Sequence, residues 1–275
     1  MFDRIKGIQY GFTEREKDGV IYFVAPALEA LGVITHGFTS RIGGKSKPPF
    51  DALNLSSKRD PDKEAVKANF SIAARSIGVN EEKLVVCNYV HGNNVEVVNE
   101  THHGMGVTRE NKLSSCDGVL VTDKNTVGVT LHGDCTPIFL ADKAGRAACV
   151  CHAGWRGTEG NIVKNAIAKF KELGIAAQDI YAAVGPTISG ARYEVGKEVA
   201  DLFDIYEGAV AKKDTRYYLS LPHVIIMQLI AQEIPPAQIT WADMCTYENE
   251  GYFYSYRRDG EKCGAMGSFI ALQEK

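Results

Sequence analysis

The chain has 275 residues, of which 45% are hydrophobic and 24% charged, the proportions of an ordinary soluble protein with enough apolar material for a large core. Its formal charge of −3 at pH 7 supplies no basic field, which argues against nucleic acid or an anionic membrane as a partner. The opening MFDRIKGIQY has charges where a signal peptide needs an apolar core, and no run of about 18 apolar residues occurs, so a cytoplasmic protein of one domain over 1–275 is expected.

Along the chain, ITHGFTS ends a strand at about His36, and GKSKPPF is the clearest loop. Asp60, Pro61 and Asp62 mark the start of a helix that runs to about Ile77. Strands dominate 84–152. Ile162, Ala166 and Phe170 then recur at four-residue spacing, which predicts a helix with Thr158 as its N-cap and Gly174 as its stop. Further helices are predicted over 194–203 and 221–233, and a short strand over 239–242, before an aromatic-rich end. Strands and helices are interspersed without regular βαβ alternation, so the expected class is α+β, with sheets sandwiched between helices.

The chemistry concentrates in VGVTLHGDCTPIFLADKAGRAACVCHAGWRG, residues 127–157. Cys135, with Asp134 beside it, lies between strand-like runs at 127–131 and 137–140, and a third run at 147–151 leads straight into His152. A thiolate and an imidazole at strand ends suit either a metal or a nucleophile with its base, and Gly154 and Gly157 let the backbone turn tightly or lie against a substrate. Which of the two applies turns on a third ligand. His91, at the end of another β-branched run in LVVCNYVHGNNVEVV, is the candidate, although spacings of 44 and 17 residues match no compact finger pattern. Two histidines and one cysteine leave a tetrahedral ion one open position, as in catalytic zinc sites. His132, three positions before Cys135, is the nearest competing ligand. The same donors also serve blue-copper centres, but a multicopper oxidase needs many histidines, commonly in His-x-His pairs, and this chain has seven and no such pair. Zinc is preferred, with copper as the alternative ion.

Other polar residues have two readings each. Arg41, before paired glycines in TSRIGG, is taken as the residue that contacts a phosphate, its other reading being a surface arginine in a turn. Asn54 in ALNLS could bond a sugar or base, or cap a turn. Asp134 orients the thiolate, shuttles a proton or caps a turn. Trp155 and Arg156 pack their own turn, and of Arg257 and Arg258 one pairs with Asp259 while the other faces solvent. His36 is placed near the site; His102, His103 and His223 are read as loop or helix-surface residues. Seven cysteines without a regular framework read as reduced thiols, with Cys87, Cys149 and Cys151 in the core.

The segments THGFTSRIGG (35–44), ALNLS (52–56), VHG (90–92), CDGVLVT (116–122), GDCTPIFLAD (133–142), CHAGWRGT (151–158), GPTISGARYEVG (185–196) and FYSYRRDGEKCGAMGS (253–268) resemble, in order, the motifs of the bacterial laccase-domain family. Its members were named polyphenol oxidases and are regarded as zinc-dependent purine nucleoside phosphorylases with adenosine deaminase activity. The resemblance spans almost the whole chain, and HAGWRG with SYRRDG is highly specific. It implies a layered α/β/β/α fold with mixed sheets, purine nucleosides and phosphate as substrates, and zinc on His91, Cys135 and His152, the residues already singled out. Three positions depart from the family pattern: Tyr89 where Gln is usual, Gly133 where Ala is usual and Ala265 where Arg is usual. None removes a ligand; Tyr89 and Ala265 bear on substrate preference.

A metal-free cysteine hydrolase or deamidase, with Cys135 as nucleophile and His152 as base, is the alternative enzyme. A non-catalytic metal-binding module on the same fold is the third reading.

Overall fold

The structure, a computed structural model, describes residues 2–273. In chain order its elements are β1 (Gln9–Tyr10), β2 (Thr13–Lys17), β3 (Val20–Val24), α1 (Pro26–Glu29), β4 (Ile34–Thr39), α2 (Lys63–Ile77), β5 (Leu84–Val86), β6 (Val95–Val98), β7 (Gly118–Val121), β8 (Val127–His132), β9 (Thr136–Asp142) and β10 (Ala148–Ala153). There follow α3 (Trp155–Glu159), α4 (Ile162–Glu172), β11 (Ile180–Val184), β12 (Glu194–Val195), α5 (Lys197–Ala200), β13 (Val210–Lys213), β14 (Arg216–Leu219), α6 (Leu221–Ala231), β15 (Ile239–Trp241), α7 (Tyr256–Asp259) and β16 (Met266–Leu272).

Two mixed sheets face each other. One has seven strands in the order β1-β15-β11-β9-β10-β7-β6, the other six in the order β2-β3-β4-β16-β8-β5. Phe38 of β4, Val119 and Val121 of β7, Phe139 of β9 and Met266 and Ile270 of β16 fill the space between them. On the far side of the seven-stranded sheet, Ile162, Val163, Ala166, Ile167 and Phe170 of α4 pack with Ile225 and Leu229 of α6. On the far side of the six-stranded sheet, Val66, Phe70, Ala73 and Ala74 of α2 do the same. The result is the α/β/β/α layering expected. β8, β9 and β10 are buried at every position, because each is covered on both faces. That is why these strands read as continuous apolar runs and not as alternating ones. A small three-stranded sheet, β12-β14-β13, lies outside the two layers.

Helix ends follow local chemistry. The Asp62 side chain accepts from the Ala65 amide at the start of α2, and Gly78 closes the helix at φ 90°, in the left-handed region open to glycine. Thr158 does not cap α4: it belongs to α3, and Asn161 accepts from the Lys164 amide instead. A tight α3–α4 corner, invisible to a periodicity count, makes the difference. The helix predicted over 194–203 is shortened at its start, since Glu194 and Val195 pair with Tyr218 and Tyr217. His223 is buried at the start of α6, not on the helix surface. No helix among the described residues is long and apolar enough to cross a membrane.

The chain changes sheet twice near the candidate site. Residues 87–94 leave β5 in the six-stranded sheet and enter β6 in the seven-stranded one; residues 133–135 do the same between β8 and β9. β5 and β8 are parallel neighbours and β9 pairs antiparallel with β10, so both crossings and the end of β10 fall at one edge of the sandwich. Phe139, fully buried between the sheets and edge-on to His36, is central to that arrangement. Replacing Phe139 by Ala is expected to lower unfolding free energy by about 3–5 kcal/mol, measured as a shift in the urea midpoint at unchanged m-value.

Candidate metal centre

His91 stands in the first crossing, Cys135 at the end of the second, and His152 near the end of β10, opposite Pro137. Their donor atoms all lie within 4.8 Å of one another, close enough for one ion to touch all three. Gly154 lets them converge. A β-carbon there would lie 3.1 Å from the Cys135 sulfur and 3.4 Å from His91 Cδ2, inside the space the donors share. At Gly157 a β-carbon would come within 2.5 Å of the Gly92 carbonyl, so the His91 loop and α3 touch backbone to backbone.

One carboxylate fixes both histidines. Asp117, fully buried, accepts the amides of Val90 (3.2 Å), His91 (2.9 Å) and Gly92 (2.6 Å), and it bonds Nδ1 of His152 at 3.0 Å. With Nδ1 engaged, His152 has Nε2 left for Cys135 or a metal. Burial favours the protonated acid, but the His152 bond and the amides outweigh it and hold the Asp117 carboxyl below its ordinary value. Burial would also raise the Cys135 thiol; the charge of His152 and hydrogen bonds from His152 and His91 instead bring it down to about 6. His152 is the complement. Its burial would lower it, yet Cys135 and Asp117 push it up to about 9. A thiolate is therefore the natural form of Cys135, which is what metal ligation and nucleophilic attack both require.

Asp134 sits behind the cysteine at φ 90°, a conformation uncommon for a residue with a side chain. Its carboxylate accepts from Thr246 Oγ1 (2.6 Å), Ser255 Oγ (3.0 Å) and the Arg257 amide (2.7 Å). Its carbonyl accepts from Thr187 Oγ1 at 2.7 Å. Burial nevertheless raises its carboxyl above the ordinary value. Asp134 thus ties the cysteine turn to the loops before β12 and before β16.

His132 is occupied elsewhere. Its ring nitrogens bond Thr130 Oγ1 (2.8 Å) and the Cys135 carbonyl (3.1 Å), and burial drives its pKa well below the ordinary value. His36 accepts the Ala25 amide at 2.9 Å and is held near 4 by burial, away from the three donors. Arg41 donates to the Asp51 carbonyl at 2.9 Å and lies 4.5 Å over the Tyr254 ring. Asn54 is fully buried, its amide donating to the Ser56 carbonyl and Asp60 and its oxygen accepting the Ser56 and Ala265 amides. Arg258 forks onto Asp259 at 2.8 Å per bond and donates to three carbonyls, while Arg257 is exposed. Arg156 stacks on Trp155 at 4.2 Å. Cys87, Cys149 and Cys151 are buried free thiols.

A cleft of about 320 Å³ opens onto the three donors. Tyr89 and Ala265 line it, as do Ser56, Lys58, Arg59 and Tyr256. The Tyr89 ring packs against both His91 and His152, at centroid distances of 5.9 and 5.2 Å. Neither Arg41 nor Asn54 is among the lining residues.

A family model described as multi-copper polyphenol oxidoreductase laccase matches residues 35–273. The chain belongs to that family. A relative called purine nucleoside phosphorylase YlmD, from Bacillus subtilis, is 33% identical over 248 residues, covering 86% of this chain and 88% of its own. A purine nucleoside phosphorylase of Bacteroides thetaiotaomicron is 28% identical, with 90% and 95% covered. The crystal structure of YlmD from Geobacillus stearothermophilus superimposes with a TM-score of 0.86 at 29% identity, covering 96% of this chain and 99% of that one. The laccase-family name points to copper clusters, yet among the described residues His91, Cys135 and His152 form the one such group of metal donors.

Asp117, Lys58 and Arg59 were not singled out from the sequence. Asp117 follows Cys116 in CDG and could have been found only as a carboxylate next to a strand start; Lys58 and Arg59 sit in an unremarkable polar stretch. Asp117→Asn is expected to weaken binding of a divalent metal ion at the three donors about 10–100-fold, as loss of an outer partner of a ligating histidine does. Competition with a chromophoric chelator reads this, and an unchanged far-ultraviolet circular dichroism spectrum separates it from unfolding.

Proposed function

We propose that the protein is a zinc-dependent purine nucleoside phosphorylase, cleaving adenosine, inosine and S-methyl-5′-thioadenosine with phosphate, and that it also deaminates adenosine. The observation that carries this reading is the cluster of one thiolate and two imidazoles at the floor of a cleft, in a chain whose relatives bear the phosphorylase name. A nitrogen and sulfur set of three donors matches zinc with one open position. His91, Cys135 and His152 would hold the zinc ion, which would supply Lewis acidity to the reacting groups when bound.

The chain's own groups divide the remaining work. Asp117 fixes the ring of His152 and the backbone at His91; Asp134 fixes the turn that presents Cys135. Tyr89 offers an apolar ring beside the donors, on which a purine can stack. In phosphorolysis a phosphate oxygen bonds to C1′ of the ribose as the C1′–N9 bond breaks, and its electron pair leaves on the purine. The purine takes the proton that hydrogen phosphate gives up. In deamination water adds at the amino-bearing purine carbon and ammonia leaves.

A second reading has its own support. Cys135, His152 and Asp117 stand in line as nucleophile, base and orienting acid, with the thiol held at about 6. A metal-free cysteine hydrolase would use these three and leave His91 idle.

Metal-quantified protein incubated with adenosine, with and without phosphate, tests the proposal. Adenine and ribose 1-phosphate are expected only with phosphate, inosine in either case, and about one zinc per chain, as a single site of three donors requires. His91→Ala is expected to lose the zinc and to lower turnover by about 100-fold or more, beyond what losing an outer partner costs. Full turnover in that variant, without metal, would instead select the cysteine hydrolase.

A further inference from the structure

We infer that Lys58 and Arg59 form the subsite for the inorganic phosphate dianion, an assignment that rests on the phosphorolysis reading above. Both line the cleft that holds the three donors, and among the described residues they are the only lysine and arginine to do so. Each is laid on an aromatic ring of the same cleft. The Lys58 ammonium lies 4.5 Å from the centre of Tyr89, the ring that touches both donor histidines, and the Arg59 guanidinium lies 5.0 Å from the centre of Tyr256.

Arg59 is only partly engaged. Its Nε donates to Glu261 at 2.9 Å, and that carboxylate is 79% exposed. A pair so open to water is weak, and none of the protein's hydrogen bonds among the described residues uses the terminal nitrogens of Arg59. A guanidinium anchored by one edge and stacked on a ring keeps the other edge for an oxyanion.

The loop beneath the two cations is built rigidly. Asn54 donates to the Ser56 carbonyl and to Asp60, and Asp60 also accepts from Ser46 Oγ at 2.8 Å and from the Asp62 amide at 2.9 Å. The same Asn54 oxygen accepts the Ala265 amide from the opposite wall. Asn54 therefore sets the distance between the cationic wall and the wall bearing Ala265. Arg41, committed to Asp51 and Tyr254 outside the cleft lining, is not placed to contact this anion.

Zinc-loaded wild type, Arg59→Gln, Lys58→Gln and Glu261→Gln would be compared with adenosine and varied phosphate. Arg59→Gln and Lys58→Gln are each expected to raise KM for phosphate about 10-fold, the weight of one charge-assisted hydrogen bond. In Arg59→Gln, whose guanidinium lies on Tyr256 and not on Tyr89, KM for adenosine and kcat at saturating phosphate should stay within about twofold. Glu261→Gln should move the other way, lowering KM for phosphate about two- to fivefold by releasing Arg59 from a surface pair. A general loosening of the cleft would not produce opposite signs. Unchanged KM for phosphate in both cation variants, with phosphorolysis intact, would overturn the assignment.

If wild type shows no phosphate-dependent cleavage, the phosphorylase reading fails, and calorimetric binding of inorganic phosphate decides the subsite separately. Weaker binding to Arg59→Gln and Lys58→Gln than to wild type would uphold it, and equal binding would sink it. Adenosine 5′-monophosphate provides the last arm. A raised KM for that nucleotide in Arg59→Gln, with KM for phosphate unmoved, would assign the cations to a substrate's own phosphate ester and overturn the co-substrate role.

Discussion

Three backbone amides and one imidazole nitrogen converge on the Asp117 carboxylate, which lies fully buried where β7 begins and its neighbour β10 ends. A carboxylate taken out of water is costly unless its oxygens are fully bonded, and here the partners more than offset burial. The same bonds that satisfy the charge set the His91 loop and the His152 ring relative to each other. Remove the acid and two of the three donors lose their common reference. The outer carboxylate is thus as much a part of the centre as the donors themselves.

Around that acid the layered fold supplies the rest. Because the chain passes between the sheets at both 87–94 and 133–135, residues far apart in sequence arrive at one edge of the sandwich. Each crossing turns at a residue of positive φ, His91 at 61° and Asp134 at 90°. Asp134 supports its turn through Thr246, Ser255 and the Arg257 amide, so the late SYRRDG segment, remote in sequence, clamps the cysteine from behind. Arg258 in turn holds that segment through Asp259 and three carbonyls. In this scheme Arg258 shapes the site through the backbone it holds.

The family name and the chemistry of the site pull in different directions. A copper-cluster oxidase distributes many imidazoles over several ions, whereas the donors here amount to one thiolate and two imidazoles beneath a cleft of polar and aromatic residues. His132, the residue nearest to enlarging the set, is spent on Thr130 and the Cys135 carbonyl. Stacked aromatics beside Lys58 and Arg59 suit a flat base and an anion better than they suit electron transfer through a chain of ions.

The sequence by itself determined the donors and most of the elements. His91, Cys135 and His152 were legible because each ends an apolar run, and runs at strand ends carry functional groups; α2 was legible from its Asp60-Pro61-Asp62 entry, and α4 from its four-residue spacing and the stop at Gly174. Turn chemistry was less so: Asn161 and not Thr158 caps α4, and Glu194 with Val195 joins a sheet, because pairing partners decide such cases and not local preference. Arg41 and Asn54 show the same limit, since a motif reveals that a polar residue matters and not which way it points. Their hydrogen bonds run into the fold, while Lys58 and Arg59, inconspicuous in a polar stretch, line the cleft. Only the tertiary structure decided that Asp117 serves both histidines, because its partners lie 25 to 35 residues away and meet it only once β7 has paired with β10 on one side and β6 on the other.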